Sequence, residues 1–369
     1  MRVASSIACA ATLAACGSAT IPPADDRDGG THDGAPRIDA DPARPDAVPP
    51  GTRLFRDDLP WTRDVSDLAP SAESAAIIGA LAGAGGWGTG DFRTDMSIDI
   101  QEASATTPRI AITAKDEAWA QATYGDPSRA EFYRPDCDDA PMPVPPDGAV
   151  EGESGYACAH GGDCHLIVID RAARTLHEMW RADRRGDTLY GGCVAIWHLD
   201  ADYDPDRLRG RGCSSADAGG FPIAAMLATA DEVATGRVDH ALRFILPNAR
   251  IRRGVYVSPA THSTFPTSGG NSLPPYGVRL RLRAAFPESS LPSEGARVLA
   301  RALKRYGMFL ADGGNLPLTI ASDRYSTARW SDLGIDAHSL SALRASDFEV
   351  VEYGNPVDWR ADTTCTRAP

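Results

Sequence analysis

The chain has 369 residues, 43% hydrophobic, 24% charged and 7% aromatic, apolar enough for a sizeable core, which excludes a wholly disordered protein. Fifty acidic residues against 37 basic ones give a formal net charge of −13, and so negative a surface repels phosphate backbones, so no nucleic acid is expected as a partner. Only Lys115 and Lys304 among the bases are lysine, a habit of composition from which no function follows.

The first segment, MRVASSIACAATLAAC, sets one basic residue before an apolar run too short to span a bilayer, and reads as a signal peptide over residues 1–15. Its end, Leu13-Ala14-Ala15-Cys16-Gly17, resembles the lipobox of bacterial lipoproteins. That resemblance implies lipidation of Cys16 and a membrane partner held through the lipid, placing the protein extracytoplasmically in the bacterial cell envelope. More than one acyl chain makes a durable anchor. Residues 17–50 hold seven Asp, three Arg and seven Pro with no aromatic residue, so residues 16–50 read as a lipidated cysteine followed by a disordered linker. The leader carries one base and the linker seven acids against three bases, so residues 51–369, expected to form a single globular domain, keep a net charge of −10.

Six cysteines follow the linker, an even number that suggests disulfides in an exported protein. Short-range pairing joins Cys158 to Cys164 and Cys193 to Cys213, and leaves Cys137 for Cys365. The stretch Cys158-Ala159-His160-Gly161-Gly162-Asp163-Cys164-His165 also has zinc-like spacing, but oxidation outside the cytoplasm favours a disulfide-closed loop.

Along the folded part, Ser71 to Leu81 predicts a short helix with a glycine stop, and the following Gly83-x-Gly85-x-x-Gly88 is a loop, because a dinucleotide fingerprint must open a helix rather than follow one. From residue 109 the pattern is mostly β: Arg109 to Thr113, His165 to Asp170, Thr175 to Ala182, Asp187 to His198, Asp239 to Leu246, Val255 to Ser258 and Gly277 to Phe286. In the last of these Arg279, Arg281 and Arg283 share one face, read as a solvated outer face in preference to the lining of a groove for an acidic ligand. Pro292 to Gly307 is the clearest helix. Strands Met308 to Ala311 and Leu318 to Ala321, a short helix near His338 to Arg344, and a strand Phe348 to Tyr353 complete the chain. The fold class expected is mainly β or α+β, an antiparallel sheet or sandwich with a few peripheral helices.

No nucleophile elbow, P-loop or H-E-x-x-H is present. Asp200, Asp202 and Asp204 alternate as in a calcium loop, making Ca²⁺ the one cofactor considered, although Pro205 stands where such a loop needs glycine and a solvated acidic loop is preferred. A series of motifs runs from Pro60-Trp61 through Ser215 to Gly219, Asp231-Glu232-Val233, Gly236, Asp239 to Phe244, Pro259-Ala260-Thr261-His262, Pro274 to Leu282, Tyr306-Gly307, Ala311-Asp312-Gly313 and Asp347 to Val351. Taken together they resemble a largely uncharacterised family of secreted bacterial proteins. The resemblance implies one folded unit and supplies no activity; the chain departs from it at Phe221 and at Ala224 to Met226.

The polar residues within those motifs give the candidate catalytic set Asp217, Glu232, His240, His262 and Asp312, with Arg279, Trp197 and Trp330 as candidate substrate contacts. Paired carboxylates divide acid and base roles in glycoside hydrolysis, and a histidine near an arginine suits elimination from a uronic acid sugar. The expectation is a lipid-anchored carbohydrate-active enzyme, hydrolase ahead of lyase, with a polysaccharide as partner. The alternative is a non-catalytic surface lipoprotein that binds glycan or protein.

Overall fold

A computed structural model of the chain describes residues 54–56 and 59–368, all within one compact unit. The expected signal peptide, Cys16 and the 16–50 linker lie outside the described residues. Ten strands make the two principal sheets: Thr94–Ile98 (β1), Ile100–Ala103 (β2), Leu166–Asp170 (β3), Thr175–Met179 (β4), Val194–His198 (β5), Leu242–Leu246 (β6), Arg279–Leu282 (β7), Met308–Gly313 (β8), Leu318–Ala321 (β9) and Phe348–Val351 (β10). The larger sheet has the order β1-β9-β6-β8-β7-β10, with β1 parallel to β9, β6 parallel to β8 and the remaining pairs antiparallel. The smaller runs β5-β4-β3-β2, antiparallel except for β2 against β3. Four α-helices, Ser74–Gly83 (α1), Glu117–Tyr124 (α2), Ala230–Ala234 (α3) and Glu294–Arg305 (α4), accompany them, so the described residues form a mostly β, α+β fold.

Alternation along β6 assigns the faces of the large sheet. Phe244 points to one side, where Trp87 lies 6.5 Å away edge-on and packs in turn on Phe92 and Phe348. Arg243 points to the other, together with its lateral neighbours Thr319 and Phe309. There Phe221 packs on Phe309 at 5.6 Å and brings the irregular segment 213–227 between the two sheets. Glu178 of β4 holds that segment from the small sheet, accepting hydrogen bonds from Ile223 N (3.1 Å), Ala224 N (2.8 Å) and the Trp197 indole N–H (3.1 Å).

Helix α4 matches its apolar spacing: Ser293 caps Ala296 N, and Val298, Leu299, Ala302 and Leu303 are buried. Gly307 ends it at φ +69°, where a Cβ would meet Leu280 O at 2.5 Å, so no other residue fits. Other expectations change. No helix forms at His338 to Arg344, because Asp336 accepts from His338 N and Ser339 Oγ and so offers the backbone a turn instead. The arginine face of β7 is only partly solvated: residues 63–66 lie over Arg279 and Arg281, whereas Arg283, just past the strand, stays exposed beside Glu349. Arg279, fully buried, donates to Glu352 (2.6 Å), Tyr306 O (2.8 Å) and Arg63 O (2.7 Å). Arg281 pairs with Glu349 and reaches Val65 O and Ser66 O.

The disulfides are Cys137–Cys193, Cys158–Cys164 and Cys213–Cys365. Short-range pairing therefore holds only for the 158–164 loop; elsewhere the antiparallel hydrogen bonding of Gly210–Arg211 with Thr366–Arg367 lays the C-terminal segment beside Cys213 rather than Cys137. Three bridges fit an oxidising, extracytoplasmic environment. Among the described residues no helix is long and apolar enough to cross a membrane. Peptide mapping without reduction is expected to recover these three pairs, and replacing Cys213 and Cys365 together by alanine to lower the unfolding free energy by about 2–5 kcal/mol in denaturant titrations.

Candidate functional site

On the inward face of the large sheet the register aligns Asp95, Thr319 and Arg243 across β1, β9 and β6. Asp312 reaches the same face through an irregularity in β8. Phe244 pairs with Leu310, but Ile245 pairs with Asp312, so Ala311 is an extra residue. A one-residue insertion moves the next side chain to the opposite face, and here it turns Asp312 toward Arg243. The Ala311 carbonyl, out of the ladder, accepts from Gly219 N at 2.7 Å and so holds the loop that carries Asp217.

Arg243 is the hub. Its Nε donates to Asp217 Oδ1 (2.8 Å), Nη1 to Thr319 Oγ1 (3.0 Å), and Nη2 reaches both Asp217 (2.8 Å) and Asp312 Oδ2 (3.0 Å). Asp217 is completely buried, and its second oxygen, Oδ2, has no hydrogen-bond partner among the described residues. The Asp312 side chain keeps 22% exposure, and its Oδ1 accepts from Gly313 N at 2.7 Å. Burial pushes both carboxyls up, Asp217 to about 6 and Asp312 to about 7, against the pull of Arg243; the charge of Glu178 adds to the rise of Asp217, and those of Asp217 and Asp163 add to the rise of Asp312. One guanidinium serves two desolvated carboxyls, so the pair retains a proton near neutral pH. Tyr276, buried with its hydroxyl 3.5 Å from Thr264 Oγ1, is raised well above the phenol range by burial and by Asp312.

A second pair flanks the hub. His165 Nδ1 donates to Glu151 Oε2 (2.7 Å) and Nε2 to the Ala216 carbonyl (3.2 Å), so both ring nitrogens face acceptors and the ring is an imidazolium. Burial opposes both charges, but mutual attraction and hydrogen bonding win, drawing Glu151 to about 2 and raising His165 to about 9. Asp95 is pushed up by burial and by Glu151. The imidazolium thus anchors the residue just before Asp217.

The structure divides the candidate residues. Asp217 and Asp312 meet at Arg243. Glu232 and His240 meet elsewhere, 3.3 Å apart, where a cleft of about 1180 Å³ opens beside α3. There Glu232 completes a capping box with Thr229, and His240 Nδ1 contacts Ala241 O at 2.8 Å, so both side chains are fully engaged. His262 contacts Ala218 O (2.8 Å) and packs on Trp359 (4.6 Å); burial lowers it. The expected substrate contacts are corrected: Trp197 and Trp330 are buried with their indole N–H groups bonded to Glu178 and Ala321 O, and Arg279 is sealed beneath residues 63–66. Asp200 pairs with Arg174 and Asp202 with Arg56, and no group of three or more metal-ligating side chains occurs among the described residues.

Sequence reasoning missed Arg243, Glu151, His165, Asp95 and Tyr276. Arg243 carried a signal, a lone charge at an inward position of the apolar strand Leu242–Leu246. Comparison with family models, curated proteins and solved structures returns no match.

The Glu151–His165 pair has a signed pH dependence. Glu151 lies below its ordinary 4.5, so its stabilisation is complete above that value and is lost as pH falls toward 2; His165 lies above its ordinary 6.5, so its stabilisation is complete below that value and is lost as pH rises through about 9. The difference in unfolding free energy between wild type and His165→Gln is expected to be greatest between about pH 4.5 and 6.5 and to shrink on either side, as measured by denaturant titration across pH.

Proposed function

We propose that the protein is an extracytoplasmic carbohydrate-active hydrolase, tethered to a membrane of the cell envelope through lipid on Cys16, with its acid–base chemistry at Asp312. The observation that carries this reading is a partly exposed carboxyl pushed up to about 7 and held by an arginine that it shares with a sealed second carboxyl. A carboxylic acid protonated near neutral pH is what protonation of a glycosidic oxygen requires.

Roles follow from exposure. Asp312 reaches solvent and donates the proton. Asp217 reaches nothing outside and acts as a positioning residue, its charge keeping the proton on Asp312. Asp163 is exposed, sits close enough to Asp312 for its charge to be felt there, and is fixed by the Trp180 indole N–H at 3.0 Å. It is the accessible second carboxylate that activates water. The disulfide Cys158–Cys164 closes the short loop that carries it. Hydrolysis ranks ahead of elimination because Arg279, the arginine expected to neutralise a uronic acid, is buried on Glu352.

The test is release of reducing ends from a panel of polysaccharides. Asp312→Asn and Asp163→Asn are expected to lower the rate by roughly 10²–10⁴-fold. Wild-type activity is expected to fall as pH rises through about 7, because the acid must hold its proton. Asp217→Asn removes a charge that raises Asp312, so this alkaline limb is expected to move to lower pH, a shift that a purely structural role does not produce. No release from any polysaccharide, or full activity in Asp312→Asn, overturns the assignment. Cys16→Ala is expected to leave the membrane fraction and appear in the soluble one.

A further inference from the structure

The cleft beside α3 is separate from the Asp312 chemistry, although β6 and β9 connect them. His240 precedes Arg243 by three residues, and Ala321 follows Thr319 by two, so the cleft lies roughly 7–10 Å along the strands from the hub. Its volume, about 1180 Å³, exceeds the roughly 300–1,000 Å³ of small-molecule pockets, which suits a chain rather than a single small ring.

Three ion pairs account for six of the seven charged residues on its wall, and the seventh, Asp231, is held by backbone N–H groups. Glu102 pairs with Arg171 at 2.6 Å, Arg237 with Asp239 at 2.9 Å, and Glu232 with His240 at 3.3 Å. Asp231 accepts from the backbone N–H groups of Thr327 (3.2 Å) and Ala328 (2.7 Å). Each of the seven charged side chains is thus held by a partner of its own, and no cation is left to recognise an anionic ligand. Between these pairs the lining is aliphatic (Ile100, Ile169, Leu227), aromatic (Phe55, Trp61) or hydroxylic (Thr235, Ser326). At the lip stands Tyr325, 44% exposed, whose hydroxyl donates to Asp147 O at 3.1 Å and so fixes the ring.

We infer that this cleft is a binding site for a neutral oligosaccharide chain, with Tyr325 as its aromatic platform. A sugar offers hydroxyls that exchange hydrogen bonds with paired charges and hydroxyl side chains, and C–H faces that pack on aliphatic and aromatic surface; it brings no charge that the wall would have to desolvate alone. The linker that precedes Leu54 is a poorer occupant, because it carries seven aspartates against three arginines and meets no unpaired cation here.

The test is calorimetric titration of the full-length protein carrying Asp312→Asn, so that loss of the proposed chemistry leaves the binding readout intact. The probes are cellopentaose, xylopentaose, maltopentaose and chitopentaose, with trigalacturonate as the anionic counterpart. Saturable binding of at least one neutral pentasaccharide is expected, weakened roughly tenfold by Tyr325→Ala, about 1.4 kcal/mol. Thr235→Trp, an exposed change on the wall, is expected to weaken it at least as much by obstruction. Binding of trigalacturonate alone, binding of no probe, or affinity unchanged by both substitutions overturns the inference. Hydrolysis by the wild-type protein with no cleft binding in the Asp312→Asn protein overturns this site and spares the Asp312 assignment, whereas cleft binding with no hydrolysis by the wild-type protein does the reverse.

Discussion

A guanidinium inside the sheet is the constraint from which the rest of the interior follows. Arg243 lies on a central strand with 3% exposure, and removing such an ion from water costs several kcal/mol unless excellent hydrogen bonds offset it. Several polar groups around it serve that need. The irregularity in β8 turns Asp312 inward, Thr319 meets it across the sheet, and the loop 213–221 delivers Asp217. That loop is secured in turn by Ser215 Oγ donating to Phe221 O at 2.7 Å, by Gly219 N on Ala311 O, and by the His165 imidazolium on Ala216 O. The space between the sheets is therefore occupied by irregular chain as well as by apolar side chains.

The disulfides complement this arrangement. The regular core lies in the ten principal strands, while the long segments 104–165 and 199–239 contribute only short elements. Cys137–Cys193 fastens the first of these to the start of β5, and Cys213–Cys365 fastens the base of the Asp217 loop to the C-terminal segment. Loops with little regular hydrogen bonding lose much conformational freedom on ordering, and cross-links reduce what the unfolded chain has to lose. They also hold still the loops that bring carboxylates together.

What the sequence made legible follows the range of the interactions. Local periodicity located α4 and most principal strands, because burial of Val298, Leu299, Ala302 and Leu303 at helical spacing, or alternation along Leu242–Leu246, depends on near neighbours. Helix α2 went unread although Asp116 at its start, accepting from Trp119 N, and Gly125 at its end, φ +69°, are local signals of the same kind. Arg279 and Arg281 were misread because alternation shows which residues share a face and not what covers it; Arg283, beyond the covering segment, is exposed as expected. Motif reasoning placed Asp217 and Asp312 in one candidate set, but Glu151 stood outside every motif and His165 was read only as the end of the zinc-like stretch Cys158 to His165. Their partnership depends on a loop and a strand start meeting beneath Ala216, which no spacing encodes.

The two polar regions on this sheet differ in charge balance, and that difference separates what each can do. Around the α3 cleft, acids and bases stand in close pairs and Asp231 is held by backbone N–H groups, so no base is left over to attract an anion. Around Arg243, the carboxyls of Asp95, Glu151, Asp217 and Asp312, with Glu178 acting on Asp217 from the small sheet, face one guanidinium and one imidazolium. Glu151 takes the imidazolium, which draws it down to about 2, leaving the other carboxyls with a single cation in a poorly solvated space. The remaining carboxyls rise, and of these Asp312 is the one drawn by the β8 irregularity to a partly exposed position. The excess of acids that sets the net charge of residues 51–369 to −10 is thus also present in the interior, where it becomes a proton held near neutral pH beside solvent.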